Sequence, residues 1–407
     1  MDEGACRYQQ LKKSLKEQVI SKIDMTEDCD DEVLSQIIDS VLLEQAEYIA
    51  YRDMLRLKKD VYNSLRRYDV LSELLEDETI TDIMVNGTSE IYVDKGGVMQ
   101  ASGYYFETKE KLENVIQQIV AGHNRIVNET SPIVDVRMQD GSRVNVVLPP
   151  VAINGPILTI RKFPKQDFTM DKYIEMNTLS VEAGEFLSGL VKSKYNIFIS
   201  GGTGTGKTTF LNVLSGCIPK EERVITIEDS AELRIQGINN IVRLETRNAN
   251  LEGKNEITMS DLIKSSLRMI PSRIVVGEVR GVEAFDMIQA MNTGHDGSLS
   301  TGHANSAMDM LIRLETLMLM AKDFPLQAVR RQIASAIDIV IHLGRLRDRT
   351  RKVMEISEVL YEDGEYVLNR LFEYEENVNG GNLVRTGNNL VNDVKMKKAG
   401  IIIGTNE

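Results

Sequence analysis

Apolar residues at the start of the chain recur at a helical interval. Leu11, Leu15, Val19 and Ile23 fall every four residues, and Val33, Ile37, Val41, Ile49 and Leu55 outline a second apolar face. Residues 1–66 are therefore predicted to form a helical segment, with Asp30 or Asp31 as an N-cap inside it. Such helices either pack on a core of their own or present a docking surface.

From about Val70 the period shortens. Ile80 to Val85 and Ile91 to Val93 predict strands separated by Asn86-Gly87, and Lys95-Gly96-Gly97 marks a further turn. Thr108 to Ala121 predicts a helix ended by Gly122. Ile133 to Met138 and Val144 to Leu148 predict a hairpin across Asp140-Gly141, and Ile157 to Arg161 a last strand. Residues 67–163 thus read as a small α+β domain built on an antiparallel sheet. Residues 164–178 hold Pro164, many charges and little periodicity, and are expected to be a linker with a hinge near Pro164.

Beyond the linker, apolar runs at Asn196 to Ser200, Arg223 to Ile227 and Arg273 to Val276 alternate with helical segments. This is the pattern of a mostly parallel α/β sheet wrapped by helices, over residues 179–376. Residues 377–407 are rich in Asn and Gly, show no apolar face before Ile401 to Ile403, and are expected to be a tail.

The chemistry is densest where the first of these apolar runs ends. Gly201-Gly202-Thr203-Gly204-Thr205-Gly206-Lys207-Thr208 satisfies G-x-x-x-x-G-K-[ST] between a predicted strand and a predicted helix. Glycines let successive amides point at phosphate oxygens, and the helix N-terminus favours their charge. The expected ligand is a nucleoside triphosphate with Mg²⁺. Lys207 would reach its β- and γ-phosphates, the Thr208 hydroxyl would ligate the metal, and Thr209 would complete the binding segment.

Three further segments support that expectation. Glu278 ends the run Arg273 to Gly277 and is the candidate general base. Glu228, Asp229 and Glu232 follow a second run and suit Mg²⁺ through its waters. His295 and His303 lie in a polar stretch, Thr293 to Asn305, that reads as a signalling segment rather than a core strand. Its expected task is sensing the γ-phosphate or relaying its loss.

Composition narrows the classes. The chain has 407 residues, 42% apolar and 27% charged, enough for two or three folded domains. A net charge of -13 disfavours a nucleic-acid partner. No apolar stretch reaches membrane-spanning length, and Cys6, Cys29 and Cys217 are far apart, so a cytoplasmic protein is expected.

The order of these motifs resembles the secretion traffic ATPases of type II and type IV secretion and type IV pili. The phosphate loop, the acidic box Ile227 to Leu233, Gly277-Glu278 and the histidine box occur in that family's order. Ile83-Met84-Val85-Asn86-Gly87, Pro132 to Arg137, Asp140 to Asn145 and Gly155 to Phe163 are similar to the Tad/Flp pilus assembly branch.

The resemblance implies a P-loop RecA-like ATPase domain preceded by a PAS-like domain, assembled as a homo-hexamer that uses ATP and Mg²⁺. It implies a cytoplasmic position at the inner face of the membrane, held there through an integral-membrane platform partner. It also implies arginines reaching the nucleotide from the smaller domain, with Arg143 and Arg161 carried over and Arg137 as a third. No four-cysteine zinc module is present, which sets the chain apart from the pilus-extension branch. A nucleic-acid translocase of related fold and an ATP-gated scaffold without turnover are the alternative functions.

Overall fold

Apolar spacing in the first part of the chain produces α1 (Glu3–Lys22), α2 (Asp31–Glu44) and α3 (Tyr51–Arg66). Their shared core is Leu15 and Val19 from α1, Leu34, Ile38, Val41 and Leu42 from α2, and Leu57 and Val61 from α3. Val41 lies inward as expected, but Leu34 and Ile38 take the core places expected of Val33 and Ile37. Val33 and Leu55 are 41% and 55% exposed, because a shift of one residue turns a side chain about 100° around a helix. Asp30 caps α2, its Oδ1 accepting from the Val33 amide at 2.8 Å. The computed structural model describes residues 3–23, 30–44, 50–123, 125–163, 168–247, 249, 254–377 and 380–401, so Cys29, Ile49, the expected hinge at Pro164, Ile402 and Ile403 lie outside the described residues.

The chain divides into two compact units, Met1–Lys165 and Gln166–Glu407. After α3 the first unit continues through α4 (Leu71–Glu76), β1 (Ile80–Asn86), β2 (Glu90–Lys95), β3 (Val98–Ala101), α5 (Lys109–Ala121), β4 (Ile133–Arg137), β5 (Arg143–Val147) and β6 (Ile157–Arg161). Among the described residues these strands form one sheet in the order β3-β2-β1-β6-β5-β4, every pair antiparallel. Strand alternation turns Ile83, Val85, Val144, Val146, Leu158 and Ile160 to one face, where α5 covers them with Leu112, Ile116 and Ile119. Thr108 caps α5 by accepting from the Lys111 amide.

The second unit opens with α6 (Met170–Glu175), α7 (Val181–Lys192), β7 (Ile197–Gly201), α8 (Lys207–Ser215), β8 (Arg223–Glu228) and β9 (Asn240–Glu245). It continues with α9 (Met259–Ser266), β10 (Arg273–Val276), α10 (Glu283–Asn292), β11 (Leu299–His303), α11 (Ala307–Ala321) and α12 (Leu326–Ala336). Then come β12 (Ile339–Arg345), β13 (Arg351–Glu362), β14 (Glu365–Asn377), β15 (Gly380–Arg385) and α13 (Val394–Ala399). The sheet order is β15-β14-β13-β12-β7-β11-β10-β8-β9. Strands from β12 to β9 in that order run parallel, and β13 to β15 extend the sheet antiparallel.

Helices cover both faces of this parallel core, so its strands are apolar throughout. Ile197 and Ile199 of β7 pack with Phe210 and Leu214 of α8 on one side. Phe198 of the same strand packs with Met310 and Leu314 of α11 on the other. The protein is thus a mixed α/β chain.

Three expectations require correction. The segment 164–178 is not linker throughout, because α6 lies within it and buries Tyr173, with Phe168, Met170 and Ile174 against the core. The segment 377–407, expected to be an ordered or semi-ordered tail without an apolar face before Ile401, does bury apolar residues earlier, Leu383 of β15 and Met396 of α13. The histidine stretch contains a central strand, β11, enclosed by β7 and β10, with Ser298, Ser300 and Thr301 buried.

Candidate nucleotide-binding site

The site grows out of the carboxyl end of β7, whose five residues are all buried. A side chain at Gly201 would place its Cβ 2.7 Å from both the Leu343 carbonyl oxygen and Thr205 Oγ1, so only glycine lets the chain leave the sheet here. The loop is tied by Thr205 Oγ1 donating to the Gly202 carbonyl at 2.9 Å. Gly206, with φ of +92°, turns the backbone into α8. Thr203 and Gly204 form the exposed tip, while Thr208 and Thr209 stand half-exposed in the first helical turn. Amides of that turn have no intrahelical acceptor, and they add to the positive end of the helix dipole.

Lys207 leads back beneath the loop and is only 7% exposed. Its Nζ donates to the Gly202 carbonyl at 2.9 Å and lies 3.1 Å from His303 Nδ1. Neither partner is an anion. Burial pushes the Lys207 pKa down, opposed by the carboxylate of Glu278. His303 ends β11 directly opposite Gly201 in the register, and its Nε2 lies 3.0 Å from Glu278 Oε1. Burial, then the Lys207 ammonium, hold the His303 pKa below its ordinary value. A neutral ring satisfies both contacts, with Nδ1 accepting from Lys207 and the Nε2 hydrogen donated to Glu278.

Glu228 and Glu278 follow neighbouring strands. Glu228 is buried, and its Oε1 accepts from the Glu232 and Leu233 amides at 2.8 and 2.9 Å. A Cβ on Gly277 would stand 3.0 Å from Glu228 Cγ, so glycine lets this carboxylate lie against the strand end that carries Glu278.

The three acids after β8 do not converge. Because Glu228 folds the following backbone onto itself, Asp229 is turned outward and exposed, where it pairs with Arg280 and accepts from Thr246 Oγ1 at 2.8 Å. Glu232 serves this turn through its backbone amide. Among the described residues no group of three or more His, Cys, Asp or Glu side chains is arranged to hold a metal.

The remaining expectations divide in the same way. His295 does not meet His303, for it stands before β11, at the opposite end of the strand, with Nδ1 3.3 Å from the Ala290 carbonyl. Arg137, Arg143 and Arg161 do come together, as a row across the first unit's sheet. Arg137 is opposite Arg143, Arg143 opposite Arg161, and Arg161 opposite Asp82, to which its Nε donates at 3.0 Å.

Residues absent from the sequence reading also touch the loop. Arg351 donates from Nε to the Gly204 carbonyl at 3.0 Å. The Tyr173 hydroxyl is 4.0 Å from where a Cβ on Gly206 would lie. His342 Nδ1 is 2.8 Å from Ser200 Oγ, just before the loop. The alternation of Arg345, Arg347, Arg349 and Arg351 was a readable signal of a basic hairpin turn; nothing local linked it to the loop.

These residues fit a magnesium-bound triphosphate. A buried ammonium that has no anionic hydrogen-bond partner among the described residues, beneath a glycine-rich loop leading into a helix N-terminus, matches a polyanion in charge and position. The Thr208 hydroxyl, on the first turn of α8, would supply the kind of oxygen ligand that magnesium takes.

Comparison with known proteins places this geometry in context. A family model described as type II/IV secretion system protein matches residues 65–379. A putative conjugal transfer protein of Mycobacterium tuberculosis is 31% identical over 301 residues, covering 72% of this chain and 85% of that one. The type IV secretion system protein PtlH of Bordetella pertussis is 32% identical over 319 residues, with 71% and 92% covered. Among solved structures, the Legionella pneumophila ATPase DotB aligns with a TM-score of 0.52 at 19% identity, over 72% of this chain and 80% of that one. The last likeness speaks to the fold. With its phosphate loop and two carboxylate-ended strands inside the matched span, the chain belongs to the type II/IV secretion system protein family.

Proposed function

We propose that this chain is an ATPase that binds Mg-ATP at Gly201 to Thr209 and couples its hydrolysis to secretion or pilus assembly. The observation that carries this reading is the buried Lys207 ammonium, which touches a carbonyl and an imidazole but, among the described residues, no anion. Substrate phosphates complete its charge. Lys207 exchanges Gly202 and His303 for β- and γ-phosphate oxygens, and His303 keeps its hydrogen bond to Glu278. Glu278 orients the attacking water and accepts its proton, while loop amides and Lys207 stabilise the charge on the leaving diphosphate. Magnesium, when bound, draws charge from the terminal phosphates; Thr208 would hold it, with Glu228 and Glu278 receiving its waters.

In this reading the second unit is the P-loop RecA-like motor and the sheet of the first is a PAS-like cover. Arg143 and Arg161, with Arg137 beside them, neutralise the transferring phosphoryl group. Loss of phosphate releases them, and the domain motion that follows is the output. A homo-hexamer docked on a membrane platform protein turns that motion into work. The names of the relatives favour type IV secretion and conjugal transfer systems, whereas the amino-terminal motifs favour Tad/Flp assembly. The shared element is an energised platform.

The test is Glu278→Gln. The variant is expected to bind Mg-ATP within a few-fold of the wild type, while turnover falls by about 10²- to 10⁴-fold. Unchanged turnover would remove Glu278 from its role, and a wild-type chain that neither binds nor hydrolyses Mg-ATP would end the proposal.

A further inference from the structure

The phosphate loop has two flanks. β11 lies on one side of β7 and brings His303, and through it Glu278, to Lys207. β12 lies on the other, and the chain returns from it as β13, beginning at Arg351. Arg351 is exposed at the loop's edge. Its Nε is spent on the Gly204 carbonyl at 3.0 Å, and its Cδ is 3.4 Å from where a Cβ on Gly206 would lie. Among the described residues no carboxylate pairs with it and no acceptor takes its two terminal nitrogens.

The surroundings fix Arg351 rather than leaving it to wander. The next residue, Lys352, is buried and donates to the Asn177 carbonyl, and the Val353 amide donates to Thr178 at 3.0 Å. Tyr173 stands beside the same glycine, its ring 5.5 Å from that of Phe210. A nucleotide whose terminal phosphate sits on the Glu278 flank must extend its other end toward the opposite flank. There it meets the exposed guanidinium of Arg351.

Resting on the nucleotide reading of the loop, we propose that Arg351 is a positioning residue for the nucleoside. Its guanidinium receives the base and ribose end while Lys207 receives the terminal phosphates. Stacking of a guanidinium on a base is chemistry that lysine cannot reproduce.

Titration calorimetry of the full chain with Mg-ADP and, separately, with magnesium tripolyphosphate separates a nucleoside contact from support of the loop. In Arg351→Ala the Kd for Mg-ADP is expected to rise by about 3- to 30-fold while tripolyphosphate affinity stays within about 2-fold. With Mg-ATP, KM rises and kcat is kept, the pattern of binding lost equally from ground and transition state. Arg351→Gln, which keeps a donor for Gly204, is expected to behave like the alanine variant and covers the case in which alanine unfolds the loop. Equal weakening of both ligands would show that Arg351 acts only through Gly204, and no change in either would show that it acts on neither; both overturn the proposal. A wild-type chain that binds neither ligand would instead overturn the reading of the loop itself.

Discussion

The two sheets carry their cations in opposite ways. In the first unit Arg137, Arg143 and Arg161 stand opposite one another on adjacent strands, with Arg143 and Arg161 exposed and Asp82 closing the row. In the second, Lys207 is drawn under its own loop and, among the described residues, meets a carbonyl and a neutral ring. Water and salt screen the row, so facing like charges cost it roughly 0.2–1 kcal/mol per pair. A buried ammonium has no such screen, and leaving one unpaired costs about 3–5 kcal/mol. The first arrangement is tolerable without a ligand; the second is a site that an anion completes.

The sharpest way to break that contrast is to remove an arginine and watch both stability and turnover. If Arg143 or Arg161 reaches the transferring phosphate, its change to Ala lowers turnover by up to about 10³-fold. Because both side chains are exposed, thermal stability moves by no more than about 0.5 kcal/mol. Loss of stability with turnover intact would return both arginines to a purely structural role within their sheet.

A smaller effect concerns pH. Burial and the Lys207 ammonium depress the His303 pKa below the ordinary 6.5. The unfolded chain therefore takes up this proton at higher pH than the folded one. The stability that depends on a neutral His303 is complete above about pH 6.5 and is lost as pH falls below it, towards the folded-state pKa. Melting temperatures between pH 8 and 5.5 should show a shallower acid loss in His303→Gln than in the wild type. An equally steep loss in the variant would place the proton elsewhere, His342 being the first alternative, since burial depresses it too.

What could be read from the sequence was whatever is decided locally. The hairpin across Asp140-Gly141, the helix from Thr108 to Gly122 and the phosphate loop each declare themselves within a dozen residues, through turn chemistry, capping and glycine spacing. What could not be read depends on neighbours far along the chain. The stretch into β11 looked polar because of Ser298, Ser300 and Thr301, yet a strand paired on both edges can bury small hydroxyls, and two of these find carbonyls, with Ser298 Oγ donating to His295 at 2.8 Å. Thr301 Oγ1 donates to Gly277 at 2.7 Å. Glu228 looked like a carboxylate with both oxygens open to a metal's waters, yet the turn beyond it claims one of them. Arg351 lies 147 residues from the carbonyl it holds, so no window of sequence joins the two.

The central claim is that Lys207 is buried to meet a polyphosphate rather than to hold the fold. Replacing it with methionine, which keeps the length and removes the charge, tests that claim in one protein by two readings. Calorimetry should show Mg-ATP affinity weakened by about 100-fold or more, while the melting temperature without nucleotide is unchanged or higher. A variant that binds Mg-ATP as the wild type does, or that melts lower without it, would contradict the account.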